Sequence, residues 1–243
     1  KKEQVFVVEG IKMFQEAPED TVVSVYVSES FLEKPEHEKC LQGYRYEVVS
    51  DAVFREISNT QTPQGILAIV RMPKYDLPDL LQGDHTHLLI LESVQDPGNL
   101  GTMVRTGEGA GITGIIMNKT TVDLFNPKTI RSTMGSIYRV PYLITEHLPD
   151  LLDELHKENI RLYAAHLKGN TYYDAFDFTG ACGFLIGNEG NGLSDEIAER
   201  ADSYLKIPME GKVESLNAAV SAALLMYECK RQRKGSSYNE NMV

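Results

Sequence analysis

Three turns rich in glycine and amide side chains constrain the fold of this 243-residue chain more than any other feature. Each turn stands where a short apolar run that predicts a β-strand gives way to a stretch that predicts a helix. In open α/β sheets, ligands bind beyond the carboxyl ends of the strands, so such turns converge on one site. We therefore expect an α/β fold with a parallel sheet covered on both faces, and one site built from all three turns.

The first turn carries Asn99, and Arg105 follows on the helix that this turn opens. The second turn runs over residues 187–193, directly after an apolar strand, and holds Glu189. The third turn leads into a last helix predicted over 215–233, with Ser215 as a favoured capping residue. Asn217 would then lie inside the first helical turn, where asparagine is a poor helix former, so we interpret it as a functional amide.

Each turn also has a purely structural interpretation. Asn99 and Arg105 fit a capped helix followed by a surface arginine, and the glycines of 187–192 fit a surface turn with an exposed Glu189. That second turn lacks the Lys-Ser/Thr pair that ends a phosphate-binding loop, so a triphosphate site is not expected.

The charge of the chain does not favour a nonspecific polyanion binder. The formal net charge is −11; residues 1–84 hold 9 basic against 15 acidic side chains, and residues 85–243 hold 15 against 20. A nucleic-acid role must therefore depend on a local basic cluster. The candidates are Lys128, Arg131 and Arg139, of which the first two share a helical face. A solvated helix face is the alternative interpretation for this pair.

Cysteine content and hydropathy indicate the class of protein. Cys40, Cys182 and Cys229 are widely spaced and form no CxxC pair, so neither a disulfide framework nor a metal site is expected. No apolar run approaches the roughly 20 residues that span a bilayer, and residues 1–8 resemble a strand rather than a signal peptide. We therefore expect a cytoplasmic protein with no membrane partner.

Prolines and polar residues between positions 71 and 84 predict a linker, with a domain boundary near residue 80. We expect a small α/β domain over 1–78, a second domain over 85–235 and a mobile tail over 236–243. The predicted strands are 5–8, 22–27, 66–70, 88–91, 114–117, 161–165, 183–186 and 204–207, and the predicted helices are 11–16, 52–57, 100–110, 127–134, 148–158, 195–201 and 215–233.

Taken in order, the three turns resemble the three motifs of a known family. The residues that carry the resemblance are Asn99 with Arg105, then Gly187-Asn188-Glu189-Gly190 with Gly192-Leu193, then Ile207-Pro208-Met209 with Glu214-Ser215-Leu216-Asn217. On these residues the region 87–232 is similar to the SpoU-type (TrmH-like) RNA 2′-O-ribose methyltransferases of the SPOUT superfamily. Thr62-Pro63-Gln64-Gly65 resembles the end of that family's amino-terminal RNA-binding module.

The resemblance implies S-adenosyl-L-methionine as the cofactor, a trefoil knot in the methyltransferase domain and a homodimer whose interface helps to form the site. It implies an RNA substrate, with ribosomal RNA favoured and transfer RNA as the alternative. By motif position, the catalytic side would comprise Arg105, Asn99, Glu189, Ser215 and Asn217. The cofactor would contact Gly187, Ile207, Leu216, Leu185, Asn188, Met209 and Ala219, and RNA would contact Lys128, Arg131 and Arg139.

Arg105 is implied to take part in catalysis, yet a free guanidinium keeps its proton above about pH 12 and is a poor base. We therefore expect Arg105 to hold the target phosphate and hydroxyl rather than to remove a proton unaided. Two rival functions remain open: a noncatalytic RNA-binding factor with the same fold, and a small-molecule binder without RNA dependence.

Overall fold

The computed structural model describes residues 4–240, and the side chains of residues 4–234. Two sheets organise the chain. The first contains β1 (Val5–Glu9), β2 (Val22–Ser28), β3 (Tyr46–Val49) and β4 (Ile66–Arg71), with α1 (Ile11–Gln15), α2 (Pro35–Cys40) and α3 (Asp51–Ile57). Helix α4 (Leu77–Leu80) follows and packs on the second sheet. The second contains β5 (His87–Leu91), β6 (Gly114–Asn118), β7 (Tyr142–Thr145), β8 (Arg161–Ala165), β9 (Thr171–Tyr172), β10 (Cys182–Ile186) and β11 (Ser203–Lys206), with α5 (Pro97–Ala110), α6 (Pro127–Thr133), α7 (Leu148–Lys157), α8 (Asp195–Ala198) and α9 (Ala218–Glu240).

The amino-terminal sheet has the strand order β1-β4-β2-β3. Strand β4 runs antiparallel to both β1 and β2, and β3 pairs parallel to β2. In β1, Phe6 and Val8 are buried while Val7 between them is exposed, which is the period of two expected of a half-buried strand. The sequence analysis missed β3, because this edge strand has no buried residue.

The second sheet is parallel throughout, as predicted, with the order β7-β6-β5-β10-β8-β11-β9. All five residues of β5 and all five of β10 are buried, because helices cover both faces of the sheet. Strands β7 and β9 were not predicted, since β7 has no fully buried residue and β9 has only two residues.

Helix α5 begins at Pro97, three residues before its predicted start. Asp96 is its N-cap, and the Asp96 carboxylate accepts a hydrogen bond from the Asn99 backbone N–H at 2.8 Å. Gly111 ends the helix in the left-handed conformation at φ +79°, which glycine adopts without steric cost. Gly107 and Gly109 lie within α5, and Gly111 ends it.

Helix α9 begins at Ala218, so the predicted start at Ser215 was wrong. Asn217 caps it: Asn217 Oδ1 accepts hydrogen bonds from the backbone N–H groups of Ala219 at 2.9 Å and Val220 at 3.3 Å. The helix continues to Glu240, past the predicted end at Arg233. Residues 241–243 lie outside the described residues, and the mobility predicted for the tail stays a prediction.

The two sheets share one hydrophobic core. Phe6 of the first sheet packs on Phe125 of the second domain, with ring centroids 4.8 Å apart. The Tyr138 hydroxyl donates to the Met13 carbonyl at 2.8 Å, so a hydrogen bond joins the same two regions. The side chain of Leu80 is fully buried in a second cluster beneath the larger sheet. The domain limits at residues 78 and 85 stay predictions.

Within residues 4–240, none of the helices combines the length and apolar character that crossing a bilayer requires. The same part of the chain contains no cluster of three or more His, Cys, Asp or Glu side chains placed to hold a metal ion. Cys40, Cys182 and Cys229 are free thiols.

Candidate active site

A cavity of about 410 Å³ lies at the carboxyl ends of β8, β10 and β11. The irregular segment between β11 and α9 forms one wall, and the glycine-rich loop after β10 forms another. Five of the seven residues predicted to bind the cofactor line this cavity: Gly187, Asn188, Ile207, Met209 and Leu216.

The other two predicted cofactor residues do not line the cavity. Leu185 lies in β10 with its side chain fully buried in the core, whereas the next residue, Ile186, lines the cavity, because successive side chains of a strand point to opposite faces. Ala219 lies on the buried face of α9, and Ala218 and Ser221, three residues apart on one helix face, line the cavity instead.

The loop after β10 is held closed by its own backbone. Asn188 and Gly192 exchange two hydrogen bonds, of 3.0 and 2.9 Å, and Asn188 Oδ1 accepts from the N–H groups of Gly190 and Asn191. A Cβ atom on Gly187 would overlap the backbone of Gly192 and Leu193. Only glycine at position 187 therefore permits this close approach.

A hydrogen-bonded chain of three side chains joins the three sequence motifs beside the cavity. The Asn217 amide donates to Asn99 Oδ1 at 2.9 Å, and the Asn99 amide donates to Glu189 Oε1 at 3.0 Å. The Glu189 carboxylate also accepts from the backbone N–H groups of Gln95 at 3.0 Å and Asp96 at 3.1 Å. Residues separated by 90 and 118 positions in sequence are thus brought into direct contact.

The Glu189 carboxylate is held in its ionised form. Burial would raise the pKa of this carboxyl group, but the hydrogen bonds from Asn99, Gln95 and Asp96 outweigh burial and hold the pKa below its usual value. Glu189 therefore acts as a fixed hydrogen-bond acceptor that orients the Asn99 amide, which in turn accepts from Asn217, rather than as a proton donor.

Ser215 and Arg105 are placed differently from these three residues. Ser215 is exposed and lines the cavity, but it does not cap α9. Arg105 is exposed on α5, does not line the cavity, and forms no hydrogen bond or ion pair with the described residues. Its guanidinium is therefore available for a charged group from outside the chain.

The three cations predicted to contact RNA have unequal surroundings. The Arg139 guanidinium pairs with both oxygens of Glu108 and donates to Glu16 at 2.9 Å, so it bridges α5 and the amino-terminal domain. Lys128 lies 3.6 Å from Asp96, and Arg131 follows it on α6. An RNA contact by these residues stays a prediction. Arg139 also has a structural role, because its ion pairs join the two domains.

Sequence reasoning missed the polar residues that support the site. Glu92 accepts two hydrogen bonds from Ser194, which fixes the start of α8 beside the glycine-rich loop. Ser93 has a positive φ of 56°, and its carbonyl accepts from the Asn188 amide at 2.9 Å. Asn118, at the end of β6, accepts from the Ser93 N–H at 2.9 Å. Glu92, Ser93 and Asn118 lie at the carboxyl ends of the parallel strands β5 and β6. This position in the sequence is the signal by which they could have been identified.

The cavity suits one small molecule with both apolar and charged parts. Its volume falls at the lower end of the range of small-molecule pockets, about 300–1,000 Å³. Leu193, Leu205 and Leu216 provide apolar walls, and Glu189 and Glu214 provide carboxylates that would attract a cationic group.

The fold agrees with that of known proteins that the chain resembles. A profile described as the SpoU rRNA Methylase family matches residues 86–227, and one described as the MRM3-like substrate binding domain matches residues 1–68. The crystal structure of the SpoU methyltransferase AviRb from Streptomyces viridochromogenes in complex with the cofactor AdoMet superimposes with a TM-score of 0.87. It is 27% identical, and the match covers 96% of this chain and 92% of AviRb.

Two curated relatives support the same assignment. The 23S rRNA (guanosine(2553)-2′-O)-methyltransferase RlmP of Bacillus subtilis is 33% identical over 231 residues, which cover 94% of this chain and 90% of RlmP. The 23S rRNA (guanosine-2′-O-)-methyltransferase RlmB of Xylella fastidiosa is 35% identical over 169 residues, 68% of each chain. With the profile match over more than half of its length, the parallel sheet and the three joined motifs, the chain belongs to the SpoU rRNA methylase family.

Proposed function

We propose that this protein transfers a methyl group from S-adenosyl-L-methionine to a ribose 2′-hydroxyl of structured RNA, with ribosomal RNA as the substrate. The relatives RlmP and RlmB are named as 23S rRNA 2′-O-methyltransferases, and AviRb was crystallised with AdoMet. A cytoplasmic location belongs to the same proposal, since the substrate is ribosomal RNA. Transfer RNA is the second candidate, because several relatives are named tRNA/rRNA methyltransferases.

The observation that carries the proposal is the hydrogen-bonded chain from Glu189 through Asn99 to Asn217 beside the cavity. It places two amides and one ionised carboxylate where polar groups of a ribose could be bound. The cavity residues fit the methyl donor, because apolar walls and carboxylates are what an adenosyl sulfonium needs. When bound, the donor supplies an electrophilic methyl carbon.

The residues of this protein would contribute to catalysis by positioning the reacting atoms. Transfer requires the 2′-oxygen, the methyl carbon and the sulfur in line, and correct placement is worth about 7–11 kcal/mol of the barrier. The asparagine amides and Ser215 would orient the ribose, while Arg105 holds the adjacent phosphate and the hydroxyl oxygen. The sulfur–methyl bond would break as the oxygen–methyl bond forms, the 2′-hydroxyl proton would pass to solvent, and the demethylated donor would leave. The apolar walls of the cavity would favour this loss of the sulfonium charge.

Radiolabelled methyl transfer tests the proposal directly. The protein is incubated with tritiated S-adenosyl-L-methionine and unmodified ribosomal or transfer RNA, and the products are digested to nucleosides. We expect a 2′-O-methylated nucleoside from ribosomal RNA, and at least a 100-fold lower rate for Arg105→Ala with donor affinity unchanged. The control, Arg45→Ala, changes an exposed arginine of the amino-terminal domain and should keep the native rate.

Donor binding without any RNA product would favour the small-molecule binder, and RNA binding without donor binding would favour the noncatalytic factor. A native rate for Arg105→Ala would remove Arg105 from the catalytic group while leaving the methyltransferase assignment intact.

The proposal includes a trefoil knot in the carboxy-terminal part of the second domain. Strand β10 inserts between β5 and β8, although β8 precedes it in the chain, and β11 then returns to the far side of β8. The glycine-rich loop passes close to itself at Gly187 and Gly192. This order, in which a later strand lies between two earlier ones of a parallel sheet, supports a threaded path, which is rare in proteins.

A homodimer through α9 is also part of the proposal. Val220, Leu224 and Tyr227 of α9 form an exposed apolar stripe that continues to Leu216 just before the helix, with exposed fractions of 36–48%, whereas the opposite face of α9 is buried. Gly109 of α5 faces the Tyr227 hydroxyl, and Arg105, four residues earlier, shares that face of α5. The stripe therefore borders Arg105, so a partner protomer seated on it would meet this arginine.

Leu224→Glu tests the dimer by sedimentation. We expect a monomer, because a charge at the centre of an apolar interface is costly to bury. Ile144→Glu is the matched control, since Ile144 is an exposed apolar residue on β7 away from the stripe, and it should leave the assembly unchanged.

Mixing Arg105→Ala with Asn217→Ala protein tests whether the interface completes the site. If the two residues act together across the dimer, half of the mixed dimers' sites regain both, and about a quarter of native activity returns. No recovery would place the two residues in one protomer's site.

A further inference from the structure

The amino-terminal domain contains a second cavity, of about 660 Å³, that the proposed reaction does not use. It lies between the segment 28–37, the start of α3 and the turn 63–65. Its position brings the Pro63-Gln64-Gly65 motif to a wall of the cavity. We call this cavity the amino-terminal cleft.

Hydrogen bonds and close contacts make the walls of the cleft rigid. Gly65 has φ +82°, and a Cβ atom there would lie 2.6 Å from Ser28 Oγ, so the turn depends on glycine. Gln64 Oε1 accepts the Ile11 backbone N–H at 2.9 Å, which leaves the Gln64 NH₂ group as a donor. The adjoining turn is held by Glu9, whose carboxylate accepts from Ser58 and Thr60.

The base of the cleft is aromatic. Phe31 and Phe54 are almost fully buried and contribute to its lining. The His37 ring is stacked on Phe31, with ring centroids 4.2 Å apart and an interplanar angle of 21°, and its Nδ1 is 2.9 Å from the Phe31 carbonyl. A fixed ring beside an open cavity is what an unpaired base needs for stacking.

Two exposed cations stand at the rim, and the charge of one of them, Arg55, helps to lower the pKa of the Asp51 carboxyl group. Lys34 and Arg55 are exposed, and neither side chain forms a hydrogen bond or ion pair within the described residues. Glu33 and Asp51 also line the cleft, so its charges balance, whereas residues 1–84 as a whole carry six more acidic than basic side chains. The cleft is therefore a place where this acidic domain can accept a phosphate.

Asp51 adds a fixed acceptor. Its Oδ1 accepts from Ser30 Oγ at 2.7 Å and from the Ser30 backbone N–H at 3.2 Å, and these bonds hold the pKa of the carboxyl group below its usual value. An ionised carboxylate and the Gln64 amide donor together provide the acceptor and the donor that a base edge requires.

We infer that the amino-terminal cleft binds one unpaired nucleotide of the RNA that the second domain methylates. The base stacks at the His37 and Phe31 side, its edge meets Asp51 and Gln64, and the flanking phosphates meet Lys34 and Arg55. This inference depends on the proposed function for the identity of the ligand. It explains how an acidic domain contacts RNA through a local site.

Fluorescence anisotropy on the two-domain protein tests the inference. The probe is a labelled RNA hairpin with a single-stranded loop, and the same stem closed as a blunt duplex is the reference. For Lys34→Gln/Arg55→Gln we expect about tenfold weaker hairpin binding and a salt slope lower by about 2, because two phosphate contacts are lost. Lys39→Gln/Arg45→Gln, which removes the same charge outside the cleft, should change hairpin affinity less than twofold.

Crosslinking gives a second measurement that does not depend on a variant. A hairpin with 4-thiouridine in its loop should crosslink to peptides from residues 28–65. Equal hairpin affinity of the two double variants, or crosslinks confined to residues 85–234, would overturn the inference. If the cleft binds a peptide rather than RNA, the two double variants should likewise have equal hairpin affinity.

The same proteins separate this inference from the proposed function. Calorimetry with S-adenosyl-L-methionine reports the donor cavity, which the cleft variants do not alter. If the protein transfers no methyl group but its hairpin binding still depends on the cleft, the inference about the cleft stands and the proposed reaction is overturned.

Discussion

Asn217 has two structural functions at the start of α9. Its Oδ1 caps the helix, and its amide donates to Asn99, so one side chain fixes both the helix and the hydrogen-bonded chain of the site. Ser215, the residue that sequence analysis favoured as the cap, makes neither contact. Because α9 begins at Ala218, its N-cap is Asn217, two residues after the Ser215 cap that was predicted.

Asn217→Ala should lower the free energy of unfolding by about 1 kcal/mol, the usual cost of losing a cap. Asn217→Ser should recover most of that stability, since serine also caps, but not the contact with Asn99. Urea unfolding measures both. Ser215→Ala is the control and should change stability by less than about 0.5 kcal/mol; a larger loss would mean that Ser215 is the true cap.

Glu189 should make stability depend on pH in a defined direction. Because its folded pKa lies below the ordinary value of 4.5, the ionised carboxylate stabilises the fold above about pH 4.5, and this contribution is lost as the pH falls through the folded pKa. The Tm of Glu189→Gln should therefore be lower than that of the native protein at pH 7, and the difference should shrink towards pH 3.

Glu214→Gln is the matched control for that series. Glu214 also lines the cavity, but accepts no hydrogen bond from the described residues, so its Tm difference should not vary with pH in the same way. A Glu189→Gln difference that stays constant from pH 7 to pH 3 would contradict the role assigned to the carboxylate.

At the level of elements, the loop after β10 requires a glycine at its base. Gly187→Ala would push the backbone of Gly192 and Leu193 away from residue 187. This shift would deform the glycine-rich wall of the cavity proposed to bind the methyl donor. We expect at least tenfold weaker donor binding by calorimetry, with the protein still folded by circular dichroism.

Gly190→Ala is the control within the same loop. The nearest atom to a Cβ at position 190 is Asn188 Oδ1 at 3.5 Å, an ordinary contact, so donor affinity should change less than about twofold. Equal effects of the two substitutions would mean that general loop stiffness, rather than the close approach at Gly187, determines binding.

The whole molecule depends on the contact between its two sheets. Tyr138 is largely buried, burial raises the pKa of its hydroxyl, and that hydroxyl donates to the Met13 carbonyl. Arg139, the next residue, bridges Glu16 and Glu108. The amino-terminal domain is therefore held against the helix that carries Asn99 and Arg105.

Tyr138→Phe should lower the free energy of unfolding by about 1–2 kcal/mol, because the partly buried Met13 carbonyl loses its partner. Denaturant unfolding measures this loss. Tyr172→Phe, at an exposed tyrosine without a hydrogen bond in the described structure, should be neutral. A neutral Tyr138→Phe would indicate that water replaces the lost donor.

Local pattern was sufficient to predict much of this architecture. Continuous apolar runs in β5 and β10 indicated a parallel sheet covered on both faces, and the glycine and amide turns after the strands indicated one shared site. These signals depend on residues within a few positions of each other, so a single sequence displays them. Short edge elements such as β3 and β9 lack that pattern and were missed.

Only the tertiary structure determined which side chains meet. The insertion of β10 between β5 and β8 brings Glu189 to Asn99, and the packing of α9 beside α5 brings Asn217 to the same point. The orientation of Leu185, the exposure of the stripe on α9 and the ion pairs of Arg139 also depend on strand order and domain contact. Hydrophobic periodicity specifies which segments form strands and helices, but partners about a hundred residues apart are set by how those segments pack.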